Sequence, residues 1–219
     1  MDKRCIVIGA GINITPARLA LINSDVNNGD YIILVGVSSD ALNALAEFTR
    51  QVYQDLSIDV KPITINTQVS LVDAVSTLRS IIESNAPCNV VIGIAGDRWV
   101  TTVLSFLATV LATVGGFVNV SVDRVFTMPD KGEPVNWPIV PRLIDLNPIE
   151  YRVLKLICNG YSLAKEITKG YSSRFNETIS LPTVERILTK LRGKGLVNSK
   201  HSGRALAYET TELGRILTC

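Results

Sequence analysis

The sequence predicts an α/β protein: a Rossmann-like parallel sheet with helices on both faces, followed by a C-terminal winged helix-turn-helix domain. In about the first 125 residues, apolar runs rich in β-branched residues alternate with longer stretches of helical periodicity, as in doubly wound sheets. A proline-rich break follows, and after it the pattern changes to three helical segments and a hairpin. These three observations define the expected fold.

The predicted strands are near-continuous apolar runs, which suit strands covered on both faces. They span residues 4–8, 31–37, 60–65, 89–95 and 117–122. Between them we expect four helices: the first has Thr15 as its N-cap before Pro16, the second follows Ser39-Asp40 in the same capping style, and the others begin at Leu71 and Arg98. The helix over 98–114 is very apolar, but it is shorter than a bilayer span and is interrupted by threonines, so no membrane partner is expected.

Four of the nine prolines fall in residues 127–145 and mark a domain boundary. We therefore predict a sensor domain over 1–126, a linker over 127–145 and a winged helix-turn-helix over 146–219. In the last segment, Asn147-Pro148 opens one helix and Ser162 caps a short second helix that ends at Lys169-Gly170. An unusually long loop over 171–179 is then expected before the third helix.

The third helix of the C-terminal segment opens at Ser180 and Pro182, with Val184, Ile187, Leu188 and Leu191 on its core face. Strands over 196–200 and 205–210 flank the turn 201–204, and a short helix over 212–217 closes the chain. The segment is also basic. Up to Asp145 the chain has 10 basic and 14 acidic residues, and after it 12 basic and 6 acidic.

This charge distribution favours a polyanionic partner, and we expect double-stranded DNA. Recognition helices enter the major groove by their N-terminal part, so Thr183 and Arg186 are predicted to contact base edges. The cations predicted to contact phosphates are Lys190, Lys194, Lys200 and Arg204. The alternative is a protein-docking module whose basic side is merely solvated.

The four cysteines, Cys5, Cys88, Cys158 and Cys219, form no C-x-x-C pair, so reduced and mostly buried thiols are expected. The N-terminal apolar stretch is too short for a signal-peptide core, and a cytoplasmic location is expected. The single histidine, His201, excludes histidine-based triads and multi-histidine metal sites.

Ligands of open α/β sheets bind beyond the carboxyl ends of the strands, where two loops are unusual. The loop after the first strand places Gly9, Gly11, Asn13 and Thr15 at a helix N-terminus, which suits phosphate or ribose. It resembles a dinucleotide fingerprint, but Ile14 replaces the third glycine. A tight turn that simply requires glycine explains the loop equally well.

The loop after the fourth strand contains Gly96, Asp97 and Arg98. Arg98 would add its charge to the positive end of the following helix and so favour anions. Alternatively, Asp97 caps the helix and Arg98 pairs with it. Asp97 also places negative charge in the turn that would receive a phosphate.

In its architecture and in the loops 9–15 and 93–99, the chain resembles the archaeal CRISPR-associated Rossmann-fold (CARF) winged-helix transcriptional regulators. The resemblance implies a homodimer that receives a cyclic oligoadenylate, usually the tetraadenylate, across its two-fold axis and thereby tunes operator binding. It places Asn13, Thr15, Gly96 and Arg98 in that ligand site. It implies an effector rather than a cofactor, and a regulator rather than an enzyme.

Three other functions are compatible with the sequence. A ring nuclease could cleave the cyclic oligonucleotide in the same pocket, since attack by a ribose 2′-hydroxyl requires neither histidine nor metal. A nucleotide-dependent oxidoreductase would need the glycine that is missing at position 14. A docking module of a CRISPR effector complex would bind no DNA. The strongly apolar fourth helix favours a homodimer in any of these cases.

Overall fold

The computed structural model describes residues 3–202 and 205–219. The chain forms two compact units, one ending at Leu143 and one beginning at Ile144. The first is built on a six-stranded sheet with the order β3-β2-β1-β4-β5-β6. Its strands are β1 (Arg4–Ala10), β2 (Tyr31–Gly36), β3 (Asp59–Thr64), β4 (Cys88–Ile94), β5 (Val120–Thr127) and β6 (Val135–Asn136). The first five strands pair in parallel and β6 pairs antiparallel to β5.

Helices α1 (Thr15–Ile22), α2 (Ser39–Val52), α3 (Leu71–Glu83) and α4 (Arg98–Val114) connect the parallel strands. Alternate residues of β1 point to opposite faces, and Ile6 and Ile8 pack with buried residues of α1 and α2. Helices α3 and α4 pack together on the other side. The predicted Rossmann-like sheet with helices on both faces is therefore confirmed.

The third, fifth and sixth strands differ from the prediction. The apolar run that begins at Phe117 belongs first to a 3₁₀ turn (Gly115–Phe117), and β5 starts only at Val120, after Asn119 with φ of 57°. Strand β3 is an edge strand with exposed residues instead of a strand covered on both faces. Part of the stretch predicted as a linker forms β6 and extends the sheet.

Helix α4 has the predicted bounds and is the main core helix of the first unit. Asp97 caps it, and its buried side chains include Val103, Leu107 and Leu111. Arg98–Phe117 is long and apolar enough to cross a membrane, but the same composition suits a core helix. Near its end, the buried Thr113 hydroxyl accepts a hydrogen bond of 2.9 Å from the backbone N–H of Leu143.

The second unit contains helices α5 (Pro148–Cys158), α6 (Ala164–Phe175), α7 (Leu181–Gly193) and α8 (Glu212–Thr218), and the strands β7 (Val197–Ser202) and β8 (Ala205–Thr210). The strands pair antiparallel, with Ser202 opposite Ala205. His201 therefore lies within β7, opposite Leu206, and not in a four-residue turn. An isolated bridge pairs Leu163, just before α6, with Ala207 of β8.

Helix α6 is longer than predicted because Gly170 does not end it. Gly170 is buried, and a Cβ there would lie 2.6 Å from the ring of Tyr161, so the glycine provides room for that ring. The helix continues through the buried Tyr171 to Phe175 and ends at Asn176, whose φ is 55°. The expected long loop over 171–179 is thus reduced to a short turn before α7.

The expectation of four reduced cysteines is wrong for the second unit. Helix α8 packs on α5, and this packing brings the residue after α8 to the end of α5, where Cys158 and Cys219 form a disulfide. Their separation of 61 residues left no local sequence signal. Cys5 and Cys88 are buried thiols, as expected.

Candidate ligand site and nucleic-acid surface

The two loops singled out in the sequence lie against each other. They follow β1 and β4, which are parallel neighbours, so they emerge at the same edge of the sheet. A Cβ at Gly11 would lie 3.2 Å from the backbone N of Asp97, and one at Gly96 would lie 2.7 Å from the carbonyl carbon of Ala10. The sheet thus joins the two loops into one candidate site.

Close packing explains the glycines of this site. Gly9 is buried in β1, where a Cβ would lie 2.3 Å from the carbonyl oxygen of Ala95. Gly11 is also buried, whereas Gly96 is exposed and has φ of 99°. The alternative that the first loop needs glycine for a tight turn therefore has direct structural support.

The polar side chains of the first loop organise its backbone. The side-chain Oδ1 of Asn13 accepts a hydrogen bond of 3.1 Å from the N–H of Thr15, and both residues are exposed. Thr15 is the first helical residue, preceded by Ile14 at the N-cap, so the predicted capping by Thr15 is wrong. The Asn13 side chain and the first turn of α1 therefore border the exposed edge of the site.

Asp97 and Arg98 have separate roles in the second loop. The Asp97 carboxylate accepts a hydrogen bond of 3.0 Å from the N–H of Val100 and so caps α4. Arg98 is exposed, and among residues 3–202 and 205–219 its guanidinium has neither a hydrogen bond nor an ion pair. Arg98 is thus positioned at the positive end of a 17-residue helix and can receive an anion.

Two further residues of this site escaped the sequence reasoning. Ile12 is 86% exposed at the tip of the first loop, an unusual place for a large apolar side chain. The indole Nε1 of Trp99 is buried and has no hydrogen-bond acceptor within the described part of the chain. The sequence signals that could have identified them were an apolar residue in a polar loop, Ile12, and an aromatic residue directly after Arg98, Trp99.

In the second unit, α7 divides cleanly into a core face and an exposed basic face. Val184, Ile187, Leu188 and Leu191 are buried, as predicted, and Arg186 and Lys190 are exposed one turn apart. Thr183 lies at the start of α7, where its hydroxyl is 2.8 Å from that of Ser180, the N-cap residue.

The other predicted phosphate contacts have different environments. The Lys194 ammonium is 2.7 Å from both the buried Glu150 carboxylate and the Asp145 carbonyl oxygen, so it holds the end of α7 against the start of α5. Lys200 pairs across the hairpin with Glu209 at 2.8 Å, and both are exposed. Arg204 lies outside the described residues.

Comparison with protein-family models and with curated proteins finds no match. Among solved structures, the complex structure of hsRosR-S4 is similar over 33% of this chain and 64% of that chain, which is less than two thirds of its length. The sequence identity is 20% and the TM-score is 0.32. The function must therefore be inferred from the chain itself.

Proposed function

We propose that the protein is a ligand-responsive, DNA-binding transcriptional regulator whose second unit is a winged helix-turn-helix domain. The order of its elements supports this assignment. Helix α5 is followed by Leu163, which bridges to β8, and then by α6, α7 and the hairpin of β7 and β8. In this arrangement α6 and α7 form the helix-turn-helix and the hairpin forms the wing.

The exposed basic face of α7 carries the proposal. Arg186 and Lys190 project from the helix that would enter the major groove, and no described residue forms an ion pair with either side chain. The planar guanidinium of Arg186 can donate two hydrogen bonds to guanine, and Lys190 can neutralise a phosphate. Lys194 is held by the buried Glu150 carboxylate and is therefore not part of the proposed DNA contacts, whereas the pair of Lys200 with Glu209 is exposed and can open.

We assign the first unit the role of sensor for an anionic, phosphate-bearing ligand. The exposed Arg98 at the start of α4 and the exposed Asn13 in the adjoining loop supply charge and hydrogen bonding. Within the resemblance to CARF regulators, this ligand is a cyclic oligoadenylate, with the tetraadenylate as the first choice. The corresponding regulator would be a cytoplasmic homodimer of a CRISPR-Cas system.

The homodimer belongs to the same proposal. Of the apolar side chains of α4 that favoured it, all but Phe106 are buried within the first unit, and Phe106 is 39% exposed. A two-fold arrangement would bring two Arg98 side chains to one ligand that carries a phosphate on every nucleotide.

DNA binding is tested by comparing Arg186→Ala with Arg50→Ala, a matched exposed arginine in the last turn of α2. If Arg186 contacts a base in a bidentate manner, its removal reduces discrimination at one or two base pairs by about 1 to 3 kcal/mol. Arg50→Ala should change neither affinity nor specificity. Binding measured by fluorescence anisotropy on operator and random duplexes at several salt concentrations decides the question.

Removing one lysine that binds a DNA phosphate should lower the slope of log affinity against log salt by roughly 0.9. Lys200→Ala should therefore weaken binding to operator and random DNA alike. An equal reduction in affinity on both duplexes for Arg186→Ala would show that Arg186 reads no base. If the full chain bound no duplex at low salt, the assignment as a DNA-binding regulator would be wrong.

Ligand binding is tested by calorimetry with cyclic tri-, tetra- and hexaadenylate. One charged hydrogen bond contributes about 1.5 to 3 kcal/mol, so Arg98→Ala in both copies should weaken binding of the tetraadenylate by roughly a hundredfold to ten-thousandfold. Arg50→Ala again serves as the control. Binding of a linear dinucleotide but of no cyclic oligoadenylate would favour a dinucleotide-binding domain instead.

A further inference from the structure

Two thiols of the first unit are in direct contact across neighbouring strands. Cys5 of β1 and Cys88 of β4 lie on the paired strands, and their Sγ atoms are 2.6 Å apart. This separation is only about 0.5 Å longer than a disulfide bond. Both side chains are otherwise enclosed, Cys5 completely and Cys88 with 4% of its surface exposed.

Cys88 borders a cavity at the amino end of the sheet, opposite the edge that bears the candidate ligand site. The cavity has a volume of about 630 Å³ and is also lined by Lys3, Asn85, Asn89 and Ser121. These side chains are polar, and the Lys3 ammonium donates a hydrogen bond of 2.7 Å to the side-chain Oδ1 of Asn85. Cys88 is thus the member of the pair that lies at the wall of the cavity, whereas Cys5 does not line it.

Cys88, the thiol that borders the cavity, is the more acidic of the two. The hydrogen bond donated by Cys5 lowers the pKa of the Cys88 thiol against the opposing effect of burial, and the ammonium of Lys3 also lowers it. The same hydrogen bond, together with burial, raises the pKa of Cys5. Cys88 is thus the better nucleophile of the pair, since the thiolate is the reactive form.

We propose that Cys5 and Cys88 form a redox-convertible dithiol, a modification site that takes a low-molecular-weight disulfide such as oxidised glutathione through this cavity. The Cys88 thiolate attacks one sulfur of the disulfide, forming a mixed disulfide and releasing one glutathione thiolate. Cys5, after losing its proton to solvent or to that thiolate, attacks the Cys88 sulfur. The second glutathione leaves, and Cys5 and Cys88 are joined; two thiols have been oxidised and one disulfide reduced.

This chemistry is independent of DNA and of the ligand, so it stands or falls separately from the proposed function. The pair is also distinct from Cys158–Cys219, which is a disulfide in the structure. Since β1 and β4 carry the two loops of the candidate ligand site, oxidation would cross-link the two strands that hold that site together.

The test is to incubate the folded full-length protein with oxidised glutathione, remove the glutathione, block free thiols with an alkylating reagent in denaturant, and map non-reduced peptides by mass spectrometry. In the wild type we expect a peptide pair linked through Cys5 and Cys88 without retained glutathione. In Cys5→Ser the second step is impossible, so Cys88 should retain one glutathione. In Cys88→Ser we expect Cys5 to remain unmodified because it does not border the cavity.

Cys5→Ala is made alongside Cys5→Ser, and circular dichroism identifies any variant that fails to fold. The result for the wild type does not depend on the variants. The proposal would be overturned if Cys88 of the wild type retained glutathione. It would equally be overturned if both wild-type thiols were alkylated after an exposure that glutathionylates Cys88 in either Cys5 variant. It would also be overturned if Cys88 stayed unmodified in the wild type and in both folded Cys5 variants.

Discussion

Replacement of Gly96 by alanine tests whether the two loops of the candidate ligand site are interlocked. Gly29 provides a matched control, because both glycines have positive φ, 88° for Gly29 and 99° for Gly96, but a Cβ at Gly29 would meet nothing within 4 Å. At Gly96 it would lie 2.7 Å from the carbonyl carbon of Ala10 and 2.9 Å from the N of Gly11. These are backbone atoms and cannot rotate away.

The expected magnitudes follow from this difference. Alanine at a positive φ costs about 1 to 3 kcal/mol at either position. Gly96→Ala adds overlap with the backbone of the first loop, which we expect to cost about 1 to 3 kcal/mol more. With a urea m value of about 2 kcal/mol/M, the unfolding midpoint of Gly96→Ala should lie roughly 0.5 to 1.5 M below that of Gly29→Ala.

Urea unfolding followed by tryptophan fluorescence measures this difference directly. The chain has two tryptophans, Trp99 and Trp137, and both belong to the first unit, so the signal reports the relevant transition. Equal midpoints for Gly96→Ala and Gly29→Ala would show that the loops can separate at no cost. The interlocked arrangement of the site would then be refuted.

Further predictions concern the second unit, where both tryptophans are absent and hydrogen exchange of α5 amides is the suitable measurement. Lys194→Met should destabilise the second unit by about 2 to 3 kcal/mol, because Glu150, whose side chain is 4% exposed, loses its partner. Lys200→Met breaks an exposed pair and should cost at most about 1 kcal/mol. Equal costs would contradict the structural role of Lys194. Gly170→Ala should cost a net of about 1 to 2 kcal/mol, because overlap with the Tyr161 ring outweighs the roughly 0.5 to 1 kcal/mol that alanine gains inside a helix. The additional change Tyr161→Leu should recover part of this stability in a double-mutant cycle, and strict additivity of the two changes would argue against the overlap.

Strong periodic signals were sufficient to predict most of the sheet and its helices. The bounds of α4 follow from its apolar sequence, its aspartate cap and the glycines after it. The start of β5 could not be read from hydrophobicity, since the apolar residues of the 3₁₀ turn and of the strand form one run. Similarly, nothing local to Gly170 shows that the ring of Tyr161 will pack over it, so a buried helical glycine resembles a helix terminator.

The candidate ligand site was predictable as a place but not in its details. Parallel strands end at the same edge of the sheet, so two unusual strand-end loops were expected there. The direct packing of Gly11 on Asp97 is a tertiary contact between distant parts of the chain and leaves no sequence pattern. For the same reason, the sequence could not show whether Lys194, at the end of the proposed recognition helix, contacts DNA or neutralises the buried Glu150.

Helix α4 links the candidate ligand site to the end of the first unit. It begins at Arg98, spans about 25 Å, and near its other end Thr113 accepts a hydrogen bond from the N–H of Leu143. The next residue, Ile144, opens the second unit. The helix therefore connects the loop that bears Arg98 to Leu143, the last residue of the first unit, through one continuous element and one hydrogen bond. Because nine of its side chains are buried and it packs on β1, β4 and β5, any movement of α4 would also involve the core of the first unit.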